Sequence, residues 1–134
     1  MKRSLVALFI AAFLHASTAG QASIPPTKLI GYWVQGPGQV WGIRLNLFRD
    51  GRFSAMHDTD LNGFKARYHG TWKLANSQLV LTEDGKKLPT FLLDVVRRGT
   101  SFILVKIYDR EAHRKDPSNT YYFFEQVSAA TRNI

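Results

Sequence analysis

Residues 64–74 alternate strictly between two kinds of side chain. Apolar residues or glycine occupy every second position from Phe64 to Leu74, and polar residues occupy the positions between them. Because neighbouring side chains of a β-strand point to opposite faces, this pattern predicts a strand with one buried and one solvated face, and it excludes a helix. At ~3.4 Å per residue such a strand is about 37 Å long, more than a small flat sheet needs. We therefore expect it to bend around a barrel near Gly70.

The N-terminal residues have the pattern of a secretory signal peptide. Two basic residues precede an apolar run over 5–14, and small residues follow it. The run is too short to cross a bilayer, which needs about 20 apolar residues. We expect cleavage after Ala19, with Gly20 or Ala22 as alternative cleavage points. The chain has no cysteine to carry a lipid anchor, so the product should be periplasmic or secreted.

Removing residues 1–19 leaves one domain of 115 residues, which buries roughly two-thirds of its unfolded surface. The leader holds two of the 18 basic residues and none of the ten acidic ones, so the net charge falls from +8 to +6. With no disulfides, stability must come from apolar packing. We expect an extended lead-in over 20–28, because paired prolines disfavour a helix there, a barrel over 29–127, and a tail over 128–134.

Short alternating runs separated by glycine, asparagine and aspartate turns continue through the rest of the chain. They predict eight strands, at 29–35, 41–47, 52–57, 64–74, 78–82, 88–96, 100–108 and 120–127. The connections are short except for a highly charged loop over 109–119, and no helical periodicity is sustained for three turns. The fold class is therefore all-β, an antiparallel up-and-down eight-stranded barrel.

One motif occurs twice. Gly31-x-Trp33 is followed by Leu45-x-Leu47-x-x-Asp50-Gly51, and Gly70-x-Trp72 is followed by Leu79-x-Leu81-x-x-Asp84-Gly85. In physical terms, glycine allows a bend or a close backbone approach, tryptophan fills the space beneath it, and Asp-Gly closes a hairpin. Both copies of the motif therefore belong to structure and not to chemistry.

The paired motif resembles the calycin superfamily, and in particular the small bacterial lipocalin-like domains. The resemblance implies an exported, non-enzymatic protein that holds a small apolar or amphipathic, lipid-like ligand inside the barrel. The inward residues expected to bind it are Trp33, Leu45, Phe53, Tyr68 and Trp72. The alternative is a protein-binding module, such as a periplasmic inhibitor or an envelope assembly factor, with a filled barrel and a surface interface. An eight-stranded barrel is wide enough for either.

Two groups of residues suggest a metal site and each has a simpler interpretation. Asp58-x-Asp60-x-Asn62-Gly63 matches the first half of a calcium loop, but His69 stands where the bidentate glutamate should be. Aspartate and asparagine also form turns. His57 and His69 could meet across two strands, but the sequence offers no third convergent ligand. We expect no metal and no cofactor.

Enzyme motifs are absent from the sequence. It has no cysteine nucleophile, no Gly-x-Ser-x-Gly, no glycine-rich phosphate loop and no inward pair of carboxylates. Asp94 is the nearest to a buried acid, since it lies between Leu92 and Val96 on one strand face. It could serve as an unpartnered catalytic acid, but we expect an edge position or a salt bridge to Arg97. The sequence therefore favours a protein that is not an enzyme.

Two surfaces suggest partners. Basic residues recur on the outward faces, among them Arg44, Arg67 and Lys73. They favour an anionic partner, with ordinary solubility as the alternative interpretation. We do not expect nucleic acid, because the protein is exported and its basic strand lacks interleaved surface aromatics. The last three strands are apolar on both faces, as in Ile103 against Leu104, and a barrel buries only one face. We expect the other face to form an interface with a second copy or an envelope protein, because monomers rarely expose so large an apolar patch.

Overall fold

The computed structural model describes residues 23–36, 42–59 and 64–128. These residues form a closed antiparallel barrel in which each strand pairs with the next and β8 pairs back with β1, so the predicted up-and-down eight-stranded barrel is confirmed. The strands are β1 (Gly31–Gln35), β2 (Gly42–Leu47), β3 (Arg52–Thr59), β4 (Phe64–Ala75), β5 (Gln78–Glu83), β6 (Phe91–Arg98), β7 (Ser101–Lys106) and β8 (Phe124–Val127). The last three are shorter than their apolar runs suggested.

The long strand β4 changes partner at Gly70. Residues Phe64 to Thr71 pair with β3, and residues Gly70 to Ala75 pair with β5. Only two positions therefore pair on both sides. A strand whose first part pairs with one neighbour and whose second part pairs with the other has the large register shift that closes a barrel.

The barrel has two unlike ends. We call the end at which β1 begins the base, and the opposite end, at which β6 and β8 begin, the mouth. At the base, where β1 begins, the residue that follows the lead-in packs into the core: Leu29 is fully buried, and its carbonyl accepts a hydrogen bond of 2.9 Å from Trp33 Nε1. Gln126 Nε2 donates to the Ile30 carbonyl at 2.9 Å. The lead-in is not wholly extended, because Pro26–Lys28 form a single 3-10 turn, whose first position suits the fixed φ of proline.

The outer face of β6 and β7 is covered by the chain itself, so the expectation of a bare apolar patch is wrong. Ile103, Val105 and Phe123 form a second buried cluster, with Val96 packed against it. The covering segment is residues 107–123, in which 3-10 turns flank a helix, α1 (Arg110–Lys115). The predicted loop thus contains a helix of six residues, too short to leave a periodic signal.

Polar contacts fix this covering segment in place. Arg110 donates two hydrogen bonds to Asp94, of 2.6 and 2.8 Å, so the partner of Asp94 is Arg110 and not the predicted Arg97. The Arg97 guanidinium instead lies 5.0 Å from the centre of the Phe102 ring.

No helix in the described ranges is long and apolar enough to span a membrane.

Candidate functional site

An apolar cavity of about 90 Å³ lies inside the barrel near its mouth. Tyr68 and Phe91 form one side of it, with ring centres 5.3 Å apart and planes at 84°, the edge-to-face geometry that aromatic pairs favour. The remaining apolar wall consists of Ile43, Leu45, Ala55, Leu81, Leu93 and Phe124. This wall can accept an apolar group and offers it no hydrogen bond.

Two polar side chains line the same cavity, His57 from β3 and Lys106 from β7. Lys106 Nζ lies 3.5 Å from Asp109 Oδ2, and its side chain is 27% exposed. The long aliphatic part of a lysine can pack on apolar surface while its ammonium group stays hydrated. The cavity therefore combines an apolar wall with cationic or titratable groups at its rim.

Gln35 supports this rim from the inner face of β1. It is 5% exposed, and its Nε2 donates to Asp109 Oδ2 at 3.1 Å and to the Tyr121 carbonyl at 2.7 Å. Both partners are acceptors, so the amide nitrogen must face them. Gln35 thereby holds the Asp109 carboxylate near Lys106 and ties the covering segment to the barrel.

The five residues predicted to bind a ligand all lie in or against one core cluster of the barrel, but not all of them line the cavity. Leu45 and Tyr68 line the cavity. Trp33 and Phe53 are fully buried in the core. Trp72 Nε1 donates to the Phe48 carbonyl at 2.9 Å, so its indole has a structural partner. The sequence pattern identified the inward face correctly but not the depth of each residue along the barrel.

The cavity also contains residues that the sequence analysis did not select. Phe91 and Phe124 begin β6 and β8 at the mouth, while Lys106 ends β7 there. A signal for them exists, because the inward residue nearest a mouth-side turn must border the opening of an up-and-down barrel. His57 lies two residues after Ala55 and four after Phe53 on the same strand. The sequence could therefore have assigned it to the inner face that those two residues share.

His57 and His69 do not meet. In the register of β3 and β4, His57 pairs with Ala66 and His69 pairs with Ser54, which places the two imidazoles on opposite faces. Among the described residues, no three histidine or acidic side chains form a group that could hold a metal ion. Asp60, Asn62 and Gly63 of the calcium-like sequence lie outside the described residues.

The acidic side chains with perturbed pKa values lie on the barrel surface. Hydrogen bonds from Arg52 lower the pKa of Asp84, and hydrogen bonds from Arg110 lower that of Asp94. Neither residue lines the cavity, and the described residues of its wall include no carboxylate. These shifts result from surface ion pairs and do not indicate acid-base chemistry.

No protein-family model matches the sequence, and no curated protein or solved structure matches it either.

Proposed function

We propose that this chain is an exported, non-enzymatic binding protein whose barrel mouth holds the apolar end of a small amphipathic ligand. The observation that carries the proposal is the cavity itself, because apolar residues from six strands surround it and Lys106 and His57 border it. Apolar pockets with a few placed polar groups are the usual form of small-molecule sites. An anionic head group would share Lys106 with Asp109, whose Oδ2 lies 3.5 Å from Lys106 Nζ.

The size of the cavity limits what can enter. At about 90 Å³ it is well below the roughly 300–1,000 Å³ of sites for drug-sized ligands, and below an engineered cavity of about 150 Å³ that binds benzene. The interior therefore accommodates a short apolar group and leaves the rest of the ligand outside. We therefore do not propose that the barrel encloses a whole lipid.

We also propose membership of the calycin superfamily, in its small lipocalin-like form. A closed eight-stranded barrel is compatible with that assignment. The paired motif supports it through geometry: Trp33 closes the base by bonding to the Leu29 carbonyl, and Gly70 allows β4 and β5 to approach closely. Fold similarity alone does not define a ligand.

The test is calorimetric titration of octanoate and 1-octanol into the mature protein. Ala55→Leu places extra methyl groups in the cavity and should weaken octanoate binding at least about tenfold. Ala75→Leu, at the exposed end of β4, is the matched control and should bind within about twofold of wild type. Lys106→Gln should weaken octanoate binding more than octanol binding. Unchanged octanoate affinity in a folded Ala55→Leu protein would contradict the proposal. A separate measurement, mass spectrometry of the native protein, would identify a co-purified ligand.

A protein-binding module, such as a periplasmic inhibitor or envelope assembly factor, is the second candidate. It is favoured by the filled base of the barrel and by Tyr108 and Tyr121, which are 94% and 58% exposed on the covering segment. Tyrosine is enriched at protein interfaces. A photo-crosslinker at position 108 should then give one discrete adduct in periplasmic extract, and the same group at position 73 should give none.

A further inference from the structure

Two large apolar side chains protrude into solvent at the mouth of the barrel. Leu88, in the connection between β5 and β6, is 78% exposed, and Tyr108, just after β7, is 94% exposed. Among the described residues they are the two most exposed large apolar side chains. Neither lines the cavity, so the proposed ligand site does not account for them.

Both residues lie near the same end of β6. Leu88 precedes Phe91, the first residue of this strand, by three positions, so their Cα atoms are at most about 11 Å apart. Lys106, the last residue of β7, pairs with Leu93 of β6. The 3-10 turn that contains Tyr108 begins directly after Lys106 and lies against β6. Leu88 and Tyr108 are therefore on one side of the mouth.

Hydrogen bonds hold the loop that carries Leu88. The Thr90 amide donates to the Leu81 carbonyl at 2.8 Å, and the Glu83 amide donates to Thr90 Oγ1 at 3.1 Å. The Lys86 amide donates to the Glu83 carbonyl at 3.1 Å. A loop fixed in this way loses little conformational entropy when a partner buries its exposed side chain.

Two lysines precede Leu88 in this loop. Lys87 is exposed and forms no ion pair within the described part of the chain. Lys86 is paired with Glu83 at 3.0 Å, and Asp84, the other nearby acid, is bound by an arginine of β3 at 2.6 Å. The loop therefore has a net positive charge, and both carboxylates beside it are already paired.

The acids near Tyr108 are paired as well. Asp109 Oδ2 lies 3.5 Å from Lys106 Nζ, and Asp94 is bound by Arg110 at 2.6 Å. Positive and negative charges therefore balance around Tyr108, and the excess positive charge on this side of the mouth lies in the loop with Leu88.

From this arrangement we propose that the loop over 86–89, together with Tyr108, docks the protein on the surface of an anionic lipid bilayer. Leu88 enters the boundary between head groups and acyl chains, and tyrosine is a residue that favours this interface. Lysines pack their aliphatic stems there and keep their ammonium groups among the lipid phosphates. A protein partner fits the loop less well, because lysine is depleted in protein–protein interfaces.

The experiment is cosedimentation of the mature protein with two kinds of vesicle, phosphatidylcholine alone and phosphatidylcholine mixed equally with phosphatidylglycerol. We expect the mixed vesicles to bind at least about tenfold more tightly. Leu88→Ser should weaken binding to mixed vesicles at least about tenfold, because it removes the side chain that the bilayer buries. Phe48→Ser, a loss of exposed apolar surface at the base, is the control and should change binding less than about twofold.

Further variants separate charge and the cavity from docking. Lys87→Gln should weaken binding to mixed vesicles about fivefold, while Lys73→Gln, an equal charge loss on the exposed face of β4, should change it less than about twofold. Ala55→Leu, which fills the cavity, should bind vesicles as wild type does, and Leu88→Ser should keep its octanoate affinity. Failure of ligand binding and failure of membrane docking are thus distinguishable.

Several results would overturn the proposal. They are an absence of wild-type binding to either vesicle, equal binding to both vesicles, and equal losses in Leu88→Ser and Phe48→Ser. Equal losses in Lys87→Gln and Lys73→Gln would indicate a diffuse positive field and no defined site. One discrete protein captured by a photo-crosslinker at position 88, without vesicle binding, would assign the loop to a protein partner. Melting temperatures show that each variant is folded.

Discussion

Gly70 is the residue at which the barrel tolerates least change. A Cβ atom there would lie 1.9 Å from the Thr82 carbonyl oxygen, 2.8 Å from Glu83 Cα and 2.8 Å from Phe53 Cε1. Two of these atoms belong to the backbone of β5 and cannot move aside without breaking the ladder. The requirement for glycine therefore comes from the approach of β5, in addition to the crowding on the inward face of β4.

We predict that Gly70→Val destabilises the protein by about 2–4 kcal/mol or abolishes folding, because its branched side chain forces β4 and β5 apart. Thermal and urea unfolding measure the effect. Thr71→Val, on the exposed face of the same strand, is the control and should stay within about 0.5 kcal/mol of wild type. A Gly70→Val protein that melts within a degree or two of wild type would remove Gly70 from the packed core.

The covering segment is joined to the barrel by an ion pair whose strength depends on pH. Hydrogen bonds from Arg110 lower the pKa of Asp94, although partial burial acts in the opposite direction. The folded protein therefore binds a proton at Asp94 less readily than the unfolded chain does. The stabilisation is present above the unfolded pKa of about 3.9 and is lost as the pH falls through the lower, folded value.

We predict that Arg110→Gln lowers the free energy of unfolding above about pH 5, and that the difference from wild type shrinks toward about pH 2. Urea unfolding across this pH range measures it. In an Asp94→Asn background the same substitution should cause no pH-dependent difference, because no carboxylate remains to titrate at that position. A gap between wild type and Arg110→Gln that stays constant with pH would show that Arg110 acts by packing alone.

Phe123 is the main apolar contact between the covering segment and β7. It is 2% exposed, with Arg98 Cζ 4.8 Å from its ring centre and the His113 ring edge-on at 5.7 Å. We predict that Phe123→Ala costs about 3–5 kcal/mol, the range for a buried phenylalanine. Tyr121→Ala, in the same segment but 58% exposed, should cost about 0.5 kcal/mol or less. Equal losses in the two variants would contradict the packing role of Phe123.

For the whole molecule, the covering segment decides whether the outer face of β6 and β7 is available to a partner. With Ile103 and Val105 buried, this face gives no reason to expect a homodimer. We predict that the mature protein sediments as a monomer and that Phe123→Ala self-associates, since it uncovers apolar surface on adjacent strands. A wild-type dimer that resists dissociation on dilution would contradict this view and point to another surface.

The two halves of the interior differ for a reason that also concerns the whole molecule. The base is filled by Trp33, Phe53 and Leu29, the last of which lies between the lead-in and β1. The mouth has no such plug among the described residues and is bordered instead by Lys106 and His57. An eight-stranded barrel is just wide enough for side chains to fill it, and the cavity lies at the end where smaller residues such as Ala55 face inward.

The sequence alone determined what depends on neighbouring residues. Alternation between adjacent positions assigned the inward face of β4, and short apolar or alternating runs between turns assigned the eight strands. Asp50-Gly51 and Asp84-Gly85 marked turns, because pleating and φ preferences act over two or three residues. The same alternation predicted that the side chains of Leu45 and Tyr68 point into the barrel. The close approach of β5 at Gly70 was also predictable, since glycine within a strand indicates close backbone approach.

Only the tertiary structure decided the depth of each residue in the barrel and what covers its outer face. Gln35 bonds to Asp109, 74 residues away, and Asp94 bonds to Arg110 from a separate element. Neither contact leaves a local pattern, because the two partners meet only after the barrel has closed. The cavity site arises in the same way, from side chains that strand pairing brings together across the sheet.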